Sequence, residues 1–173
     1  MRWFRPDGIC RSVTDIGPED VRAMGCTVVA IDADNTTSYD RTTEPLPGTE
    51  DWIAAMKAAG IPVLLLSNAK PRRAQVLADR YDIPVVGLSM KPLRQGYLRA
   101  ARKTRTSPKH ILVLGDQLFT DVMGANRTGC RVIWVLPYEK DRQNKGFFAV
   151  KRAAEGVIKT IWKHTGTWEE LSR

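Results

Sequence analysis

The chain has 173 residues, which is long enough for one domain with a substantial buried core. Its composition, 43% hydrophobic and 27% charged, is ordinary for a soluble globular protein, and no apolar run approaches the ~18 residues of a membrane span. The formal net charge of +8 favours anionic partners: phosphorylated substrates, nucleic acid or an acidic membrane surface.

The cysteines and the first residues indicate the compartment. Cys10, Cys26 and Cys130 are widely spaced and form no Cys-x-x-Cys pair, which fits a reducing compartment without a zinc site or a disulfide framework. Residues 1–6 lack the apolar stretch of a signal peptide. We therefore expect a cytoplasmic location that still permits contact with the inner face of a membrane.

Short apolar runs alternate with helical patterns along the chain. The helical patterns cover Thr49–Ala59, which Gly60 should end, then Ala74–Tyr81, and a third segment that starts at Lys91-Pro92 and reaches about Arg105. The apolar runs are continuous rather than alternating, as expected for strands covered on both faces. These runs predict strands at 27–31, 62–66, 84–86, 111–114 and 132–136. The pattern predicts an α/β protein: a three-layer, Rossmann-like fold whose mostly parallel sheet has about five strands.

Two carboxylates follow the first predicted strand, where a parallel α/β sheet collects ligands. Asp32 could attack phosphorus and form an aspartyl-phosphate. Asp34 could protonate the leaving oxygen and later deprotonate water. The alternative interpretation is that Asp and Asn simply favour the turn after the strand.

Ser67 and Asn68 follow the second predicted strand, and Lys91 comes later in the chain. The Ser67 hydroxyl could donate to a phosphoryl oxygen beside a helix N-terminus, or it could be an ordinary helix N-cap. Lys91 could neutralise phosphate charge in the transition state, or it could be a solvated surface lysine.

Asp116 and Asp121 follow the predicted strand at 111–114. Magnesium prefers octahedral oxygen ligands and usually takes one or two carboxylates. Asp116 could therefore complete a magnesium site with Asp32. Asp121 could hold a bound water or orient Lys91, or it could cap a helix.

In this order, these four segments resemble the four motifs of the haloacid dehalogenase (HAD) superfamily of phosphotransferases, over the run from Asp32 to about Pro137. Asp-x-Asp-Asn-Thr together with Gly-Asp-Gln-x-x-Thr-Asp is similar to subclass IIIA. Pro6-Asp7, residues 12–16 and residues 124–129 resemble its YqeG-like branch, which includes phosphatidylglycerophosphate phosphatases. Ala33 and Thr37 depart from the aliphatic residues usual in the family, and we expect both to be compatible with catalysis.

The resemblance implies a role for each candidate residue. Asp32 would be the nucleophile and a metal ligand, and Asp34 would be the acid/base, with its backbone carbonyl also on the metal. The substrate phosphate would be bound by Ser67, Asn68 and Lys91. Magnesium would be held by Asp32, Asp34, Asp116 and Asp121.

The spacing of the motifs leaves no room for a cap domain over the site. Asp34 and Ser67 are 33 positions apart, and Ser67 and Lys91 are 24 apart, which a loop, helices and short strands already fill. The irregular segment 37–48 should border the site. An uncapped site is open to large or surface-presented phosphates.

We expect a single domain of residues 1–173 with its core at about 25–140. The sequence pattern near the C-terminus predicts a basic amphipathic helix at about 145–164. Basic residues outnumber acids strongly in 91–109 as well, where seven Lys or Arg occur with no Asp or Glu. Such a helix is typical of a membrane interface, although it could also pack on the sheet or form a dimer face. Its apolar positions are Phe147, Val150, Ala154, Val157, Ile158 and Ile161, with Trp162 at the boundary; its basic positions are Lys151, Arg152, Lys159 and Lys163.

These observations predict a magnesium-dependent phosphomonoester hydrolase that acts on phosphatidylglycerophosphate at the cytosolic membrane surface. The same chemistry on a soluble or macromolecule-borne phosphate is one alternative, and a non-catalytic phospho-aspartate switch or a scaffold for a GTPase or ribosome factor is another. Asp34 argues against the switch, because a switch needs no acid/base. Tyr97 is the only aromatic residue in the basic segment 91–109, and this scarcity of aromatic residues disfavours a site that stacks on nucleic-acid bases. The segment 124–129 lacks the Gly-Lys-Ser/Thr ending of a P-loop.

Overall fold

Six short strands form one fully parallel sheet in the computed structural model, which describes residues 2–138 and 147–164. The strands are β1 (Gly8–Cys10), β2 (Val28–Ile31), β3 (Val63–Leu66), β4 (Val85–Val86), β5 (Ile111–Gly115) and β6 (Arg131–Val135). Their order in the sheet is β1-β6-β5-β2-β3-β4. The predicted runs correspond to β2–β6. β1 was not predicted, because three residues at a sheet edge give no periodic signal.

Helices cover both faces of the sheet, which confirms the predicted three-layer α/β class. The helices are α1 (Pro18–Ala23), α2 (Thr49–Ala58), α3 (Pro71–Tyr81), α4 (Arg94–Lys103), α5 (Met123–Thr128) and α6 (Phe147–His164). Alternate strand residues point to opposite faces. Val29 and Ile31 of β2 pack in the core formed with α1, α2 and α3, whereas Val28 and Ala30 pack in the core formed with α4, α5 and α6.

The third predicted helix begins later than the sequence suggests. α4 starts at Arg94, so Pro92 lies before the helix rather than in its first turn. The reason is a preceding turn, in which the Leu93 N–H donates to the Met90 carbonyl at 2.8 Å. The segment before α4 is therefore a distinct loop.

The C-terminal helix packs on the sheet through part of its surface. Trp162 is buried and meets the Trp134 ring of β6 edge-on, with ring centroids 6.1 Å apart. Ile158 is partly buried in the same core, whereas Val157 and Ile161 are exposed. The apolar positions of α6 therefore divide between the sheet and the outer surface.

The C-terminal helix also contacts the segment that follows β5. Glu155 is buried and accepts the Leu118 N–H at 2.9 Å, so α6 also caps the segment that follows β5. The side chains of Phe147, Val150, Lys151 and Arg152 lie outside the described residues. Across the ranges that the structure describes, we find no helix with the length and hydropathy needed to cross a bilayer.

The strand order places a ligand crevice between β2 and β5. From β2 the chain runs outward through β3 and β4, and then returns to the other side of β2 as β5 and β6. Such a reversal opens a crevice at the carboxyl ends of the two central strands. Between Asp34 and Lys91, a stretch that the structure describes throughout, the chain forms only the loop 37–48, α2, β3, α3 and β4, so no cap domain is inserted there.

Candidate active site

Three buried carboxylates converge at the carboxyl ends of β2 and β5. Asp32 directly follows β2, where its N–H donates to the Leu114 carbonyl of β5 at 2.9 Å. Asp116 directly follows β5, and Asp121 comes five residues later. One carboxylate oxygen from each of the three aspartates lies within 4.8 Å of the others. Two segments far apart in sequence therefore share one acidic centre.

A π-helical turn, Leu118–Val122, presents Asp121 to this centre. Its approach depends on Gly115, since a Cβ there would lie 2.4 Å from the Asp121 Cγ. Tyr97 of α4 holds the turn from the other side, because its hydroxyl lies 3.0 Å from the Thr120 carbonyl and 3.2 Å from that of Asp121. The sequence analysis did not predict this supporting role for Gly115 or Tyr97. A glycine that ends an apolar run was the available signal.

Lys91 links two of the carboxylates. Its Nζ lies 2.6 Å from Asp32 Oδ1 and 2.7 Å from Asp121 Oδ1, and its side chain is 2% exposed. Burial alone lowers the pKa of Lys91, but the carboxylates of Asp121 and Asp32 more than offset this, and the pKa lies above that of an ordinary lysine. Lys91 is therefore a fixed buried cation and not a solvated surface lysine.

The electrostatic environment of Asp32 acts in two directions. Burial raises the pKa of the Asp32 carboxyl above its ordinary range, the charge of Lys91 lowers it, and Asp121 raises it again. The net direction of the pKa shift is upward, because the burial of Asp32, together with the nearby carboxylates of Asp121 and Asp34, outweighs the effect of Lys91. Any additional positive charge in the site would favour the ionised carboxylate of Asp32.

Ser67 and Asn68 lie at the end of β3, beside Lys91. The Ser67 hydroxyl is buried and accepts the Ala69 N–H at 3.1 Å, so it does not cap α3, whose N-cap position is Lys70. Asn68 holds the Lys91 segment: its Oδ1 accepts the Lys91 N–H at 2.8 Å, and its Nδ2 donates to the Lys91 carbonyl at 3.1 Å. The second hydrogen of the Asn68 amide is not used in these two contacts.

Asp34 faces the same crevice but pairs with a residue that the sequence analysis missed. Arg73 of α3 donates to both Asp34 oxygens, at 2.6 Å each, and also to the Thr42 carbonyl at 3.1 Å. The Arg41 N–H adds a third contact to Asp34 at 2.8 Å. Hydrogen bonding to Asp34 raises the pKa of the Arg73 guanidinium. No local pattern marks Arg73, because its partner is 39 positions away.

A cavity of about 320 Å³ opens above these residues. Asp40 and Arg41 line it, so the segment 37–48 does border the site. Asp116 and Asp121 are fully buried behind the cavity floor. The sequence-predicted residues on its wall are Asp32, Asp34, Ser67, Asn68 and Lys91. All seven candidates therefore lie at one edge of the sheet, five of them on the cavity and two beneath it.

The donor set is suited to a hard divalent cation. Asp32, Asp116 and Asp121 offer only oxygen ligands, the type that magnesium prefers. When all three carboxylates are ionised, the single ammonium of Lys91 leaves two negative charges in a buried region, and a bound cation would stabilise them. These residues could hold a metal ion.

Comparison with known proteins agrees with this geometry. The model of the haloacid dehalogenase-like hydrolase family matches residues 14–129. The chain is 32% identical over 173 residues to the probable phosphatase YqeG of Bacillus subtilis (strain 168), covering 98% of each protein. It is 29% identical over 122 residues to the mitochondrial phosphatidylglycerophosphatase GEP4 of Saccharomyces cerevisiae, covering 62% of this chain and 65% of that protein.

A solved structure shows the same fold. A protein from Listeria monocytogenes serotype 4b superposes with a TM-score of 0.54 at 15% identity, covering 78% of this chain and 99% of the other. At this identity the likeness concerns the fold alone.

Proposed function

Because the chain belongs to the haloacid dehalogenase-like hydrolase family and is a phosphatase, we propose that it is a magnesium-dependent phosphomonoesterase that uses Asp32 as its nucleophile. The observation that carries the proposal is the buried group of Asp32, Asp116 and Asp121 around Lys91, at the floor of an open cavity. No simple structural role requires four buried charged groups at one edge of the sheet.

Two steps fit the groups on the cavity wall. In the first, an Asp32 oxygen forms a bond to phosphorus while the ester oxygen leaves with a proton from Asp34. In the second, Asp34 takes a proton from water, the water oxygen attacks the aspartyl-phosphate, and inorganic phosphate departs. Ser67, Asn68 and Lys91 supply hydrogen-bond donors for the phosphoryl oxygens throughout.

Arg73 has a positioning role in this scheme. Its bidentate contact fixes the Asp34 carboxylate at the cavity wall. The side chains of Arg73 and Asp34 are 22% and 23% exposed. A carboxyl that carries a proton cannot keep both charge-assisted contacts. Proton delivery therefore requires Asp34 to release one guanidinium nitrogen, which the anionic substrate can then approach.

The residues fit magnesium, with Asp32 and Asp116 as direct carboxylate ligands, the Asp34 backbone carbonyl as a further ligand and Asp121 as support. When bound, the ion neutralises charge on the phosphoryl oxygens and keeps Asp32 ionised. The thermal midpoint of the wild-type protein should rise with magnesium concentration, because the ion binds the folded state. In Asp116→Asn the rise should be lost. An equal rise in that variant would place the metal elsewhere.

We further propose that the substrate is a phosphate ester presented at a surface, with phosphatidylglycerophosphate as the leading candidate. The uncapped cavity gives a bulky ester access, the basic segment 91–109 attracts anions, and the similarity to the yeast phosphatidylglycerophosphatase supports this lipid. On this proposal the protein is cytoplasmic and contacts the membrane peripherally.

A panel of phosphate esters tests the chemistry and the substrate separately. Wild type, Asp32→Asn and the exposed control Asp51→Asn would be assayed with phosphatidylglycerophosphate in detergent and with soluble sugar and nucleoside phosphates, with magnesium or with chelator. We expect release of phosphate from the lipid by wild type and Asp51→Asn only. Turnover by Asp32→Asn would reject the nucleophile. Turnover of soluble esters alone would reject the lipid and keep the chemistry.

A further inference from the structure

The loop that supplies Lys91 also carries three exposed apolar side chains, Leu88, Met90 and Leu93. Their exposed fractions are 50%, 53% and 44%, whereas Ser89 and Lys91 between them are buried. Successive side chains therefore alternate between the outside and the inside of the loop. Lys91 and Pro92 of the same segment line the cavity, so the three exposed apolar side chains lie within three positions of the cavity wall in sequence. We call Leu88, Met90 and Leu93 the apolar rim.

The rim is fixed from beneath. The Ser89 hydroxyl donates to Asn68 Oδ1 at 2.8 Å, which ties the loop to β3. Gly96 brings the loop directly onto the backbone of α4, since a Cβ at Gly96 would lie 2.3 Å from the Ser89 carbonyl oxygen. The Arg99 guanidinium donates to the Leu88 carbonyl at 2.6 Å. The apolar side chains are thus held outward on a preformed support.

The backbone at the rim is unusual for the residues it carries. Leu88 has φ 43° and Met90 has φ 54°, a left-handed conformation that glycine and asparagine adopt far more readily. Because Leu88 and Met90 face solvent, they bury little apolar surface in the core that could offset the strain of this conformation. Backbone strain of this kind commonly accompanies function.

The surroundings of the rim are strongly basic. On the exposed face of α4, Arg94 and Arg102 flank Leu98, which is 37% exposed, and Arg99 lies beside them. The sequence 91–109 contains seven Lys or Arg and no acid. An apolar patch with a basic margin is complementary to the surface of an anionic bilayer, where apolar groups enter the boundary of the acyl region and cations meet lipid phosphates.

A second copy of the chain fits this surface poorly. A two-fold symmetric contact through the rim would bring the arginines of one α4 towards those of the other. Like charges brought together across an interface oppose association, and the segment contains no carboxylate to offset them.

We propose that the apolar rim inserts into the headgroup boundary of an anionic bilayer while the arginines of α4 bind its phosphates, so that the cavity opens onto the membrane surface. The inference rests on the proposed action on a lipid phosphate and specifies how that substrate reaches Asp32. It assigns membrane contact to the rim rather than to the exposed side of α6.

Sedimentation with vesicles tests the assignment. Wild type would be mixed with vesicles of phosphatidylcholine alone or with phosphatidylglycerol, and compared with Leu88→Ser/Leu93→Ser. The control is Val157→Ser/Ile161→Ser on α6, two side chains 60% and 38% exposed. We expect wild type and the control to bind anionic vesicles equally. We expect the rim variant to bind roughly tenfold more weakly, since two leucine side chains no longer enter the bilayer.

The outcomes separate the two proposals. Equal vesicle binding by the rim variant would overturn the docking inference, as would loss of binding in the α6 control or failure of wild type to bind. A wild-type dimer that the rim variant converts to a monomer would assign the rim to a second copy. Thermal unfolding verifies that each variant is folded. Vesicle binding through the rim without release of lipid phosphate would reject the substrate and keep the docking surface.

Discussion

Replacing Gly115 with alanine should impair the site although no charged residue is substituted. The added Cβ would lie 2.4 Å from the Asp121 Cγ, 2.6 Å from its Cβ and 2.7 Å from its Oδ1. Contacts this short do not occur, so the Asp121 side chain must move by roughly 1 Å to reach van der Waals distance. That shift would break the 2.7 Å contact between Asp121 and Lys91.

The cost has two parts. Overpacking alone should lower the free energy of unfolding by about 1–3 kcal/mol. Misplacing Asp121 and Lys91 by this distance should lower kcat roughly 100-fold. Urea denaturation and steady-state phosphate release would measure the two effects. Gly156→Ala on α6 is the matched control, because a Cβ there meets nothing within 4 Å, and it should be neutral or stabilising by about 0.5–1 kcal/mol. A Gly115→Ala enzyme with wild-type stability and turnover would refute the close approach of Asp121.

Three further predictions follow from contacts around the site and the core. Tyr97→Phe removes the hydroxyl that binds the π-helical turn, so two buried carbonyls lose their donor. The free energy of unfolding, measured by urea denaturation, should fall by about 1–3 kcal/mol, and an unchanged value would contradict the contact. Arg73→Gln should lower kcat roughly 10- to 100-fold while leaving the thermal midpoint nearly unchanged, and an unaltered kcat would exclude a positioning role. Burial raises the thiol pKa of Cys10 and Cys130 to about 12 and that of Cys26 to about 11. At pH 8, therefore, none of the three cysteines should react with iodoacetamide in the folded protein, and all three should react in urea.

The parts of the fold that could be predicted are those with a local signal. Continuous apolar runs predicted β2, β3 and β5 because strands buried on both faces have no polar positions. The strand ends then placed Asp32 and Asp116 at one edge, since parallel strands present their carboxyl ends together. The order of polar residues after strands was sufficient for this, without any knowledge of side-chain packing.

The parts that could not be predicted depend on how elements approach each other. The Arg73–Asp34 pair joins α3 to the turn after β2, and only the packing angle of α3 brings the two side chains within 2.6 Å. The burial of Trp162 likewise depends on the rotation of α6 about its axis. A helix with apolar residues on more than one side has several rotations of similar hydrophobic burial. Here the buried Glu155, which accepts the Leu118 N–H, selects one of them.

The charges of the site explain why its support is so extensive. Burying three carboxylates and one ammonium at one edge of the sheet opposes folding, because the groups lose their hydration and the carboxylates repel one another. Three of the four charged groups are held by the neutral structure around them: Asp32 by the pairing of β2 with β5, Asp121 by Gly115 and Tyr97, and Lys91 by Asn68. Moving any of these charged groups towards water would reduce its desolvation cost, but it would also separate the groups that must meet at phosphorus. The two hydrophobic cores thus provide the stability that keeps these like charges together in the folded protein.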